Sequence, residues 1–223
     1  MISKKPLIMI MGVQRSGTIA LFNTLASAPG LTGRTEHVGD AIYDDFDLRP
    51  EPEIRQVLHS LPGTILLKPV NESKRRAPWA VAEEYAGYEL RIIWIYRDPV
   101  NVFWSFLQKG WGRGGCQKFA DSWVARNQLA IESIEPLGDR FLVVRYEDIV
   151  SNPGCMAALA DRLGLSVRSC LRADSQLGRQ HLAPEIQAKM QTRTADMLAK
   201  LDAARSITPE TIGLNGPRRT EPC

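Results

Sequence analysis

Residues 6–18 read PLIMIMGVQRSGT: an apolar run, a turn bounded by two glycines, and a threonine that opens a stretch with helical spacing. A short apolar run without period-two alternation is typical of a buried parallel strand. A glycine turn that carries such a strand into a helix gathers backbone N–H groups and the positive end of the helix dipole at one point. The stretch therefore predicts an α/β fold with a P-loop-like strand–loop–helix site for an anion.

The side chains of this turn strengthen the prediction of an anion site. Arg15 adds a positive charge, and Ser16 and Thr18 add hydroxyl donors on either side of Gly17, so a phosphate or sulfate can be held from several directions. The turn lacks the lysine followed by a hydroxyl residue that places magnesium in nucleotide-triphosphatase loops. An ordinary strand-to-helix turn is the alternative interpretation.

Length and composition bound the class of protein. The chain has 223 residues, 44% of them hydrophobic and 24% charged, which predicts a single globular domain over residues 1–223, with a core of about 1–165 and a C-terminal helical segment and tail over 166–223. The net charge of +3 suits a small anionic ligand and does not indicate nucleic acid. No apolar run approaches the roughly 20 residues that span a membrane. The four cysteines lack C-x-x-C spacing, which favours thiols in a reducing cytoplasm.

The rest of the chain alternates apolar runs with helical patterns, which predicts a central parallel sheet with helices on both faces. The predicted strands are Leu7–Met11, Thr64–Leu67, Arg91–Tyr96 and Arg140–Arg145, with Leu31–Thr35 as a weaker fifth. The predicted helices are Thr18–Ala28, Glu51–Ser60, Trp79–Tyr85, Pro99–Leu107, Phe119–Glu135, Gly154–Leu163 and Pro184–Ala203, and Gly110–Gly115 and Asp148–Pro153 are predicted loops.

Positively charged residues follow three of the predicted strands. Arg15 follows the first strand, Lys68 follows the 64–67 strand and Arg97 follows the 91–96 strand. Ligands of open α/β sheets bind outside the carboxyl ends of the strands. Three cations on one edge predict a ligand with more than one anionic group.

Three segments resemble sulfotransferases that use 3′-phosphoadenosine 5′-phosphosulfate (PAPS). Residues 12–18, GVQRSGT, resemble the 5′-phosphosulfate loop, most of all in the tyrosylprotein and carbohydrate branches. Residues 96–105, YRDPVNVFWS, resemble the 3′-phosphate element, and residues 144–153, VRYEDIVSNP, resemble a late segment of the family. The resemblance spans residues 7 to about 165. It implies that Arg15, Ser16, Gly17 and Thr18 contact the 5′-phosphosulfate, and that Arg97 and Ser105 hold the 3′-phosphate.

Glu36 is the candidate general base. The helix after the loop carries the chain about 16 Å away, and the extended segment from Pro29 is long enough to return, so a strand at Leu31–Thr35 would bring Glu36 to the edge that holds Arg15. The position also matches the catalytic glutamate of tyrosylprotein sulfotransferases. His37 is the rival base because an imidazole titrates nearer neutrality.

Lys68 matches a family lysine that stabilises the sulfonate and the bridging oxygen. Residues 74–76 with Trp79, the loop over 109–115 and the acidic residues over 40–47 are candidate contacts for the acceptor, and each has a solvated surface as its alternative. Arg218 and Arg219 weakly resemble the basic segment that occurs late in the sequences of this family.

These observations predict a sulfotransferase that moves a sulfuryl group from PAPS to a hydroxyl, less readily an amine, of a small-molecule, glycan or peptide acceptor. No metal is expected, because the three histidines are scattered. One alternative is a kinase-like phosphotransferase that uses the same loop on ATP. The other is a catalytically silent nucleotide-binding protein, which would need Arg15, Arg97 and Ser105 but no base. The assembly state is left open.

Overall fold

The computed structural model describes residues 4–37, 39–112, 114–167 and 177–213. Its strands are β1 (Pro6–Gly12), β2 (Leu31–Thr35), β3 (Tyr43–Asp44), β4 (Asp47–Leu48), β5 (Thr64–Lys68), β6 (Glu89–Tyr96) and β7 (Phe141–Arg145). Its α-helices are α1 (Thr18–Ala26), α2 (Glu51–Ser60), α3 (Pro78–Glu84), α4 (Pro99–Leu107), α5 (Gly115–Ile131), α6 (Ile134–Leu137), α7 (Tyr146–Ser151), α8 (Pro153–Leu163), α9 (Leu177–His181), α10 (Pro184–Ala203) and α11 (Pro209–Gly213).

The five predicted strands form one parallel sheet in the order β2-β5-β1-β6-β7, and β3 pairs with β4 in a separate antiparallel hairpin. β1 lies at the centre, with Leu7 opposite Ile65 of β5 on one side and Leu90 of β6 on the other. The carboxyl ends of all five strands therefore meet at one edge, as expected from the strand–helix alternation.

Both faces of the sheet are covered, which explains why β1 is apolar at every position. Leu7, Met9 and Met11 point into one hydrophobic cluster, and Ile8 and Ile10 point into the other. Successive side chains of a strand face opposite sides of a sheet. A central strand between two helix layers is buried on both sides, so its sequence does not alternate between polar and apolar residues. The α/β fold class predicted from residues 6–18 is confirmed.

The C-terminal helix α10 is part of this structure rather than an appendage. It packs against α5, and its residues Met197 and Leu201 belong to the larger hydrophobic cluster. At its end, the Asp202 carboxylate accepts a hydrogen bond of 2.6 Å from the Tyr96 hydroxyl. The Ser206 N–H then donates to the Val143 carbonyl at 2.8 Å, so the chain lies along the edge strand β7.

One predicted loop is wrong. Residues 148–153 were expected to be irregular because Asp148, Asn152 and Pro153 are turn residues, yet α7 runs to Ser151 and α8 begins at Pro153. The buried positions of α7, at Tyr146, Ile149 and Val150, have helical spacing, and their burial outweighs the local turn signal. Asn152 does break the chain, as the N-cap whose side chain accepts from the Gly154 N–H.

The long helix predicted over Phe119–Glu135 is displaced toward the N-terminus. α5 begins at Gly115 and ends at Ile131, and the short α6 follows it.

None of the helices in the described part of the chain is long and apolar enough to cross a bilayer.

Candidate active site

The predicted site residues lie at the carboxyl edge of the sheet. Arg15 is in the loop after β1, Glu36 directly follows β2, Lys68 is the last residue of β5, and Arg97 directly follows β6. The register places Thr35 opposite Lys68, so Glu36 leaves its strand beside the lysine. The strand order therefore puts Glu36 and Lys68 on one side of the β1 loop and Arg97 on the other.

The loop between β1 and α1 carries a buried polar atom that needs a partner. Ser16 is 0% exposed, and its Oγ makes no hydrogen bond within the described part of the chain. Buried hydroxyls are normally hydrogen-bonded, so such an atom marks a place where a ligand or water binds. Thr18, also buried, is the first residue of α1. The first N–H groups of an α-helix have no partners within the helix, which leaves donors for an anion.

Gly17 makes this loop possible. Its φ of 95° lies in the left-handed region that favours glycine. A Cβ at this position would lie 2.1 Å from the Tyr146 ring, which closes the loop from the end of β7. The glycine thus lets the helix start and the aromatic ring approach each other closely.

Arg15 joins the two predicted phosphate elements. Its backbone has a φ of 70°, unusual for a residue with a side chain. Its Nε donates a 2.8 Å hydrogen bond to the Ser105 Oγ, two turns into α4. The sequence resemblance implies that Arg15 contacts the 5′-phosphosulfate and that Ser105 holds the 3′-phosphate. The structure brings these two side chains into direct contact.

Arg97 stacks on an aromatic ring at the same edge. Its guanidinium carbon lies 4.6 Å from the centroid of the Tyr146 ring. Two carboxylates near this edge are paired with other arginines: Asp98 pairs with Arg179 at 2.6 Å, and Asp148 pairs with Arg205 at 2.7 Å. Asp98 also caps α4 by accepting from the Val100 N–H, so its role is structural.

Glu36 and Lys68 form a buried ion pair. The Lys68 Nζ lies 2.9 Å from the Glu36 Oε2, and the two side chains are 8% and 11% exposed. The other carboxylate oxygen of Glu36 accepts a 2.8 Å hydrogen bond from the Asn71 N–H. An ion pair with little water around it interacts strongly, so the carboxylate is held in one position at the strand ends.

Two residues that support this pair were not predicted. The Tyr43 hydroxyl accepts a 3.0 Å hydrogen bond from the Lys68 N–H, and burial raises the pKa of that hydroxyl well above its ordinary value. Gln14 donates to the Asn71 side chain at 3.0 Å, which ties the β1 loop to the Glu36 segment. Tyr43 lies in the two-residue strand β3, and such a short strand has no recognisable sequence pattern.

The rival base is exposed, and no cluster of metal ligands is found among the described residues. His37 follows Glu36 but is exposed to solvent. No group of three or more histidine, cysteine, aspartate or glutamate residues in the described ranges has metal-binding geometry. Arg218 and Arg219, the weak echo of a late basic segment, fall outside the described residues. The described edge thus carries cations and hydroxyls, and the Glu36 carboxylate is held beside Lys68 on the β2 side of it.

Solved sulfotransferase structures share this architecture. The sulfotransferase from Alicyclobacillus acidocaldarius matches with a TM-score of 0.65 at 14% identity, over 94% of this chain and 99% of that chain. The sulfotransferase domain from the curacin biosynthetic pathway matches with a TM-score of 0.61 at 16% identity, over 90% of this chain and 98% of that chain. Mouse sulfotransferase SULT7A1, solved in complex with PAP, matches with a TM-score of 0.57 at 12% identity, over 95% of this chain and 88% of that chain.

No protein-family model matches the chain, and no curated protein sequence matches it. At identities between 12% and 16%, the structural matches establish the fold. The resemblance inferred from the three sequence segments is therefore confirmed at the level of the fold.

Proposed function

We propose that this protein is a PAPS-dependent sulfotransferase that acts on a hydroxyl acceptor. The observation that carries the proposal is the buried Glu36–Lys68 pair, 2.9 Å apart, at the strand ends next to an anion-binding loop. A protein that only bound a nucleotide would need the loop but not a carboxylate fixed beside it. The matched structures support the proposal because they share the fold around the same sheet edge.

The residues present fit the phosphate groups of PAPS. The Ser16 hydroxyl is buried without a partner, the start of α1 offers backbone donors, and Arg15 and Ser105 stand together at 2.8 Å. Ser16, Gly17 and Thr18 would hold the 5′-phosphosulfate, and Arg97 and Ser105 the 3′-phosphate, with Arg15 between them. When bound, PAPS supplies a sulfuryl group whose bond to the 5′-phosphate oxygen breaks as the acceptor oxygen bonds to sulfur.

Glu36 is proposed as the general base. A carboxylate can take the proton from the acceptor hydroxyl as its oxygen becomes a nucleophile, provided that the two lie within hydrogen-bond reach. The Asn71 N–H fixes one carboxylate oxygen, and Lys68 contacts the other. The acceptor hydroxyl would approach the oxygen that faces Lys68.

Lys68 is proposed to have two successive roles. It first orients Glu36 through their 2.9 Å ion pair. As Glu36 gains a proton it loses its negative charge, and the lysine is then available to the negative charge that develops on the leaving phosphate oxygen. A preorganised cation in a site with little water stabilises such charge strongly.

The cysteine pattern supports placing this reaction in the cytoplasm.

Calorimetry on the purified chain tests the proposal. Adenosine 3′,5′-bisphosphate (PAP) is titrated without metal, and ADP and magnesium–ATP are titrated in parallel. We expect micromolar affinity for the 3′,5′-bisphosphate and at least tenfold weaker binding of ADP, because only the former engages Arg97 and Ser105 through a 3′-phosphate. Preference for magnesium–ATP would instead establish the kinase-like alternative, and binding of neither nucleotide would overturn the proposal.

A further inference from the structure

Three of the four acidic residues over 40–47 are paired with arginines, and Asp45 is the exception among the described residues. Asp40 lies 3.9 Å from Arg34, Asp44 lies 3.6 Å from Arg49, and Asp47 lies 2.7 Å from Arg75. Since each of these carboxylates has its own guanidinium, the acidic stretch that follows Glu36 gives the site little net negative charge. This argues against selection of a cationic acceptor.

Lys74 is the basic residue of this region that is left without a carboxylate. Of its neighbours, Arg75 pairs with Asp47, and Arg76 pairs with Glu72 and Glu84. Lys74 donates a 2.6 Å hydrogen bond to the neutral Asn71 side chain, and no carboxylate of the described residues lies within ion-pair distance of it.

Lys74 also lies close to the proposed base. It is bonded to the side chain of the residue whose N–H holds Glu36. Partial desolvation of its ammonium is the main cause that lowers the pKa of Lys74, and the positive charge of Arg126 is the second cause. The pKa is lowered although much of the residue is exposed. Glu36 and Asp47 act in the opposite direction on the same pKa. The Lys74 ammonium thus lies within the electrostatic reach of both Arg126 and Glu36.

Arg126 is a partly buried guanidinium with no anionic partner among the described residues. It belongs to α5, which packs against the 3-10 turn Glu72–Lys74. Its Nη1 is buried and makes no hydrogen bond, and no ion pair to Arg126 occurs among the described residues. Burial lowers the pKa of this guanidinium. A buried cation without a partner is costly, so such a group in a folded protein points to an anion that binds there.

We infer that Arg126 and Lys74 bind an anionic group of the acceptor, so that the substrate is a hydroxyl compound that also carries a carboxylate, phosphate or sulfate. The inference rests on the proposed function, because it takes Glu36 as the point where the acceptor hydroxyl binds. The planar guanidinium supplies a paired contact and the ammonium a mobile one. An acceptor held at its anion by these two cations presents its hydroxyl toward Glu36.

The first test uses inorganic sulfate on protein saturated with adenosine 3′,5′-bisphosphate. Saturation fills the proposed phosphate sites but leaves the position of the transferred sulfuryl group empty, so the response of Arg126 is what identifies sulfate bound at the acceptor site. Sulfate is titrated at constant ionic strength, and the side-chain NMR signals of the arginines are followed. We expect saturable shifts that include Arg126, at least tenfold weaker binding in Arg126→Met and Lys74→Met, and little change in Arg193→Met. The last variant is the matched control, because it removes an exposed charge already paired with Asp121.

A second test uses a matched pair of phenols that differ only in charge, 4-hydroxyphenylacetate and 4-hydroxyphenylacetamide. We expect the bisphosphate-loaded wild type to bind the acid at least tenfold more tightly than the amide, and Arg126→Met to lose this preference. Equal affinity for the two phenols, or sulfate binding that persists unchanged in Arg126→Met, would overturn the inference.

Failure of this inference can be told apart from failure of the proposed function. If the bisphosphate binds but Arg126 does not respond to sulfate, only the anionic acceptor is excluded. If Arg126→Met weakens the bisphosphate tenfold or more, Arg126 belongs to the nucleotide site and the assignment to the acceptor is wrong. If the bisphosphate does not bind the wild type, both proposals fall together.

Discussion

Glu36 illustrates what a single residue needs before it can act as a base. Its carboxylate is fixed by one backbone N–H and one lysine, so both oxygens have defined neighbours. We predict that Glu36→Gln, which keeps the shape and the acceptor for Asn71, lowers the rate of sulfuryl transfer about 10²- to 10⁴-fold. Affinity for adenosine 3′,5′-bisphosphate, measured by calorimetry, should stay within about threefold of wild type. Loss of nucleotide affinity with transfer retained would exclude Glu36 as the base.

Gly17 is constrained by its own backbone and by its neighbour. We predict that Gly17→Ala weakens binding of the bisphosphate at least tenfold and destabilises the fold by more than about 2 kcal/mol, since its Cβ would collide with Tyr146. Gly115→Ala is the matched control. Gly115 has a φ of 73° but no heavy atom of the described residues within 4 Å of an added Cβ.

The control should therefore show only the backbone cost, about 1–2 kcal/mol, and unchanged nucleotide affinity. Urea unfolding and calorimetry on both variants provide the comparison. Equal effects of the two substitutions would mean that the ring contact with Tyr146 is unimportant.

Glu147 makes stability depend on pH. Burial raises the pKa of its carboxyl above the ordinary value of 4.5. A group with a raised carboxyl pKa binds more protons in the native state, so the stability of the wild type falls as pH rises from 4.5 through the native value. Glu147→Gln removes this loss but keeps an acceptor for the Asp98 N–H.

The variant should accordingly gain stability relative to the wild type as pH rises from about 4 to about 8. Urea unfolding at a series of pH values measures the difference. A difference that does not change with pH would show that the carboxyl titrates alike in the folded and unfolded chains.

At the scale of the element, strands were easier to predict than short helices. A buried parallel strand is a continuous apolar run, and β1, β5, β6 and β7 all occur where such runs predict them. β2 (LTGRT) is a partly exposed edge strand, and its sequence predicts it only weakly. α7 was missed because its six residues contain turn formers. The helical spacing of its hydrophobic residues can be recognised only when it is known which of them are buried. β3 and β4 have two residues each, too few for any periodic signal.

The proposed site was predictable as far as strand ends define it. Glu36 and Lys68 could be placed together because adjacent parallel strands end at the same edge. The contact of Arg15 with Ser105 depends on a left-handed backbone at Arg15 that the sequence does not reveal. Arg126 could not be found either, because an arginine within a helix reads as a solvated charge until its partners are known.

The end of α10 ties the C-terminal segment to β6 and β7. Asp202 accepts hydrogen bonds from the Tyr96 hydroxyl at 2.6 Å and from Arg145 at 3.2 Å. We predict that Asp202→Ala costs about 1–3 kcal/mol in the free energy of unfolding, since it removes the acceptor of the buried Tyr96 hydroxyl and one of the two carboxylate partners of Arg145. It should also weaken bisphosphate binding, because Arg97 directly follows Tyr96.

Asp121→Ala is the control for this prediction. Asp121, on α5, is exposed and pairs with Arg193, which lies on α10 as Asp202 does. Exposed ion pairs contribute at most about 1 kcal/mol to stability. Urea unfolding compares the two variants. A larger loss of stability from Asp121→Ala would contradict the importance of the Asp202 contacts.

At the scale of the whole molecule, α10 and the sheet share one hydrophobic cluster. Leu201 is 0% exposed within it. We predict that Leu201→Ala costs about 2–5 kcal/mol and lowers the stability of helix and sheet together, in one cooperative transition. Far- and near-ultraviolet circular dichroism should give the same denaturation midpoint. The exposed neighbour Lys200→Ala should change stability by less than about 0.5 kcal/mol. Two separate transitions would show that residues beyond about 165 unfold on their own.

The strand order has a consequence for how such a protein can diversify. The proposed nucleotide contacts come from the loop after β1 and from the segment after β6, whereas Glu36, Lys68 and Lys74 come from the opposite side, at the ends of β2 and β5. Arg126 is the exception, because α5 follows β6. Insertions or replacements after the outer pair can thus change the compound that is modified while the donor half stays intact. The fold is modular within a single sheet, and chimaeras that exchange residues 36–48 and 69–76 between homologues are a rational route to new acceptor preferences.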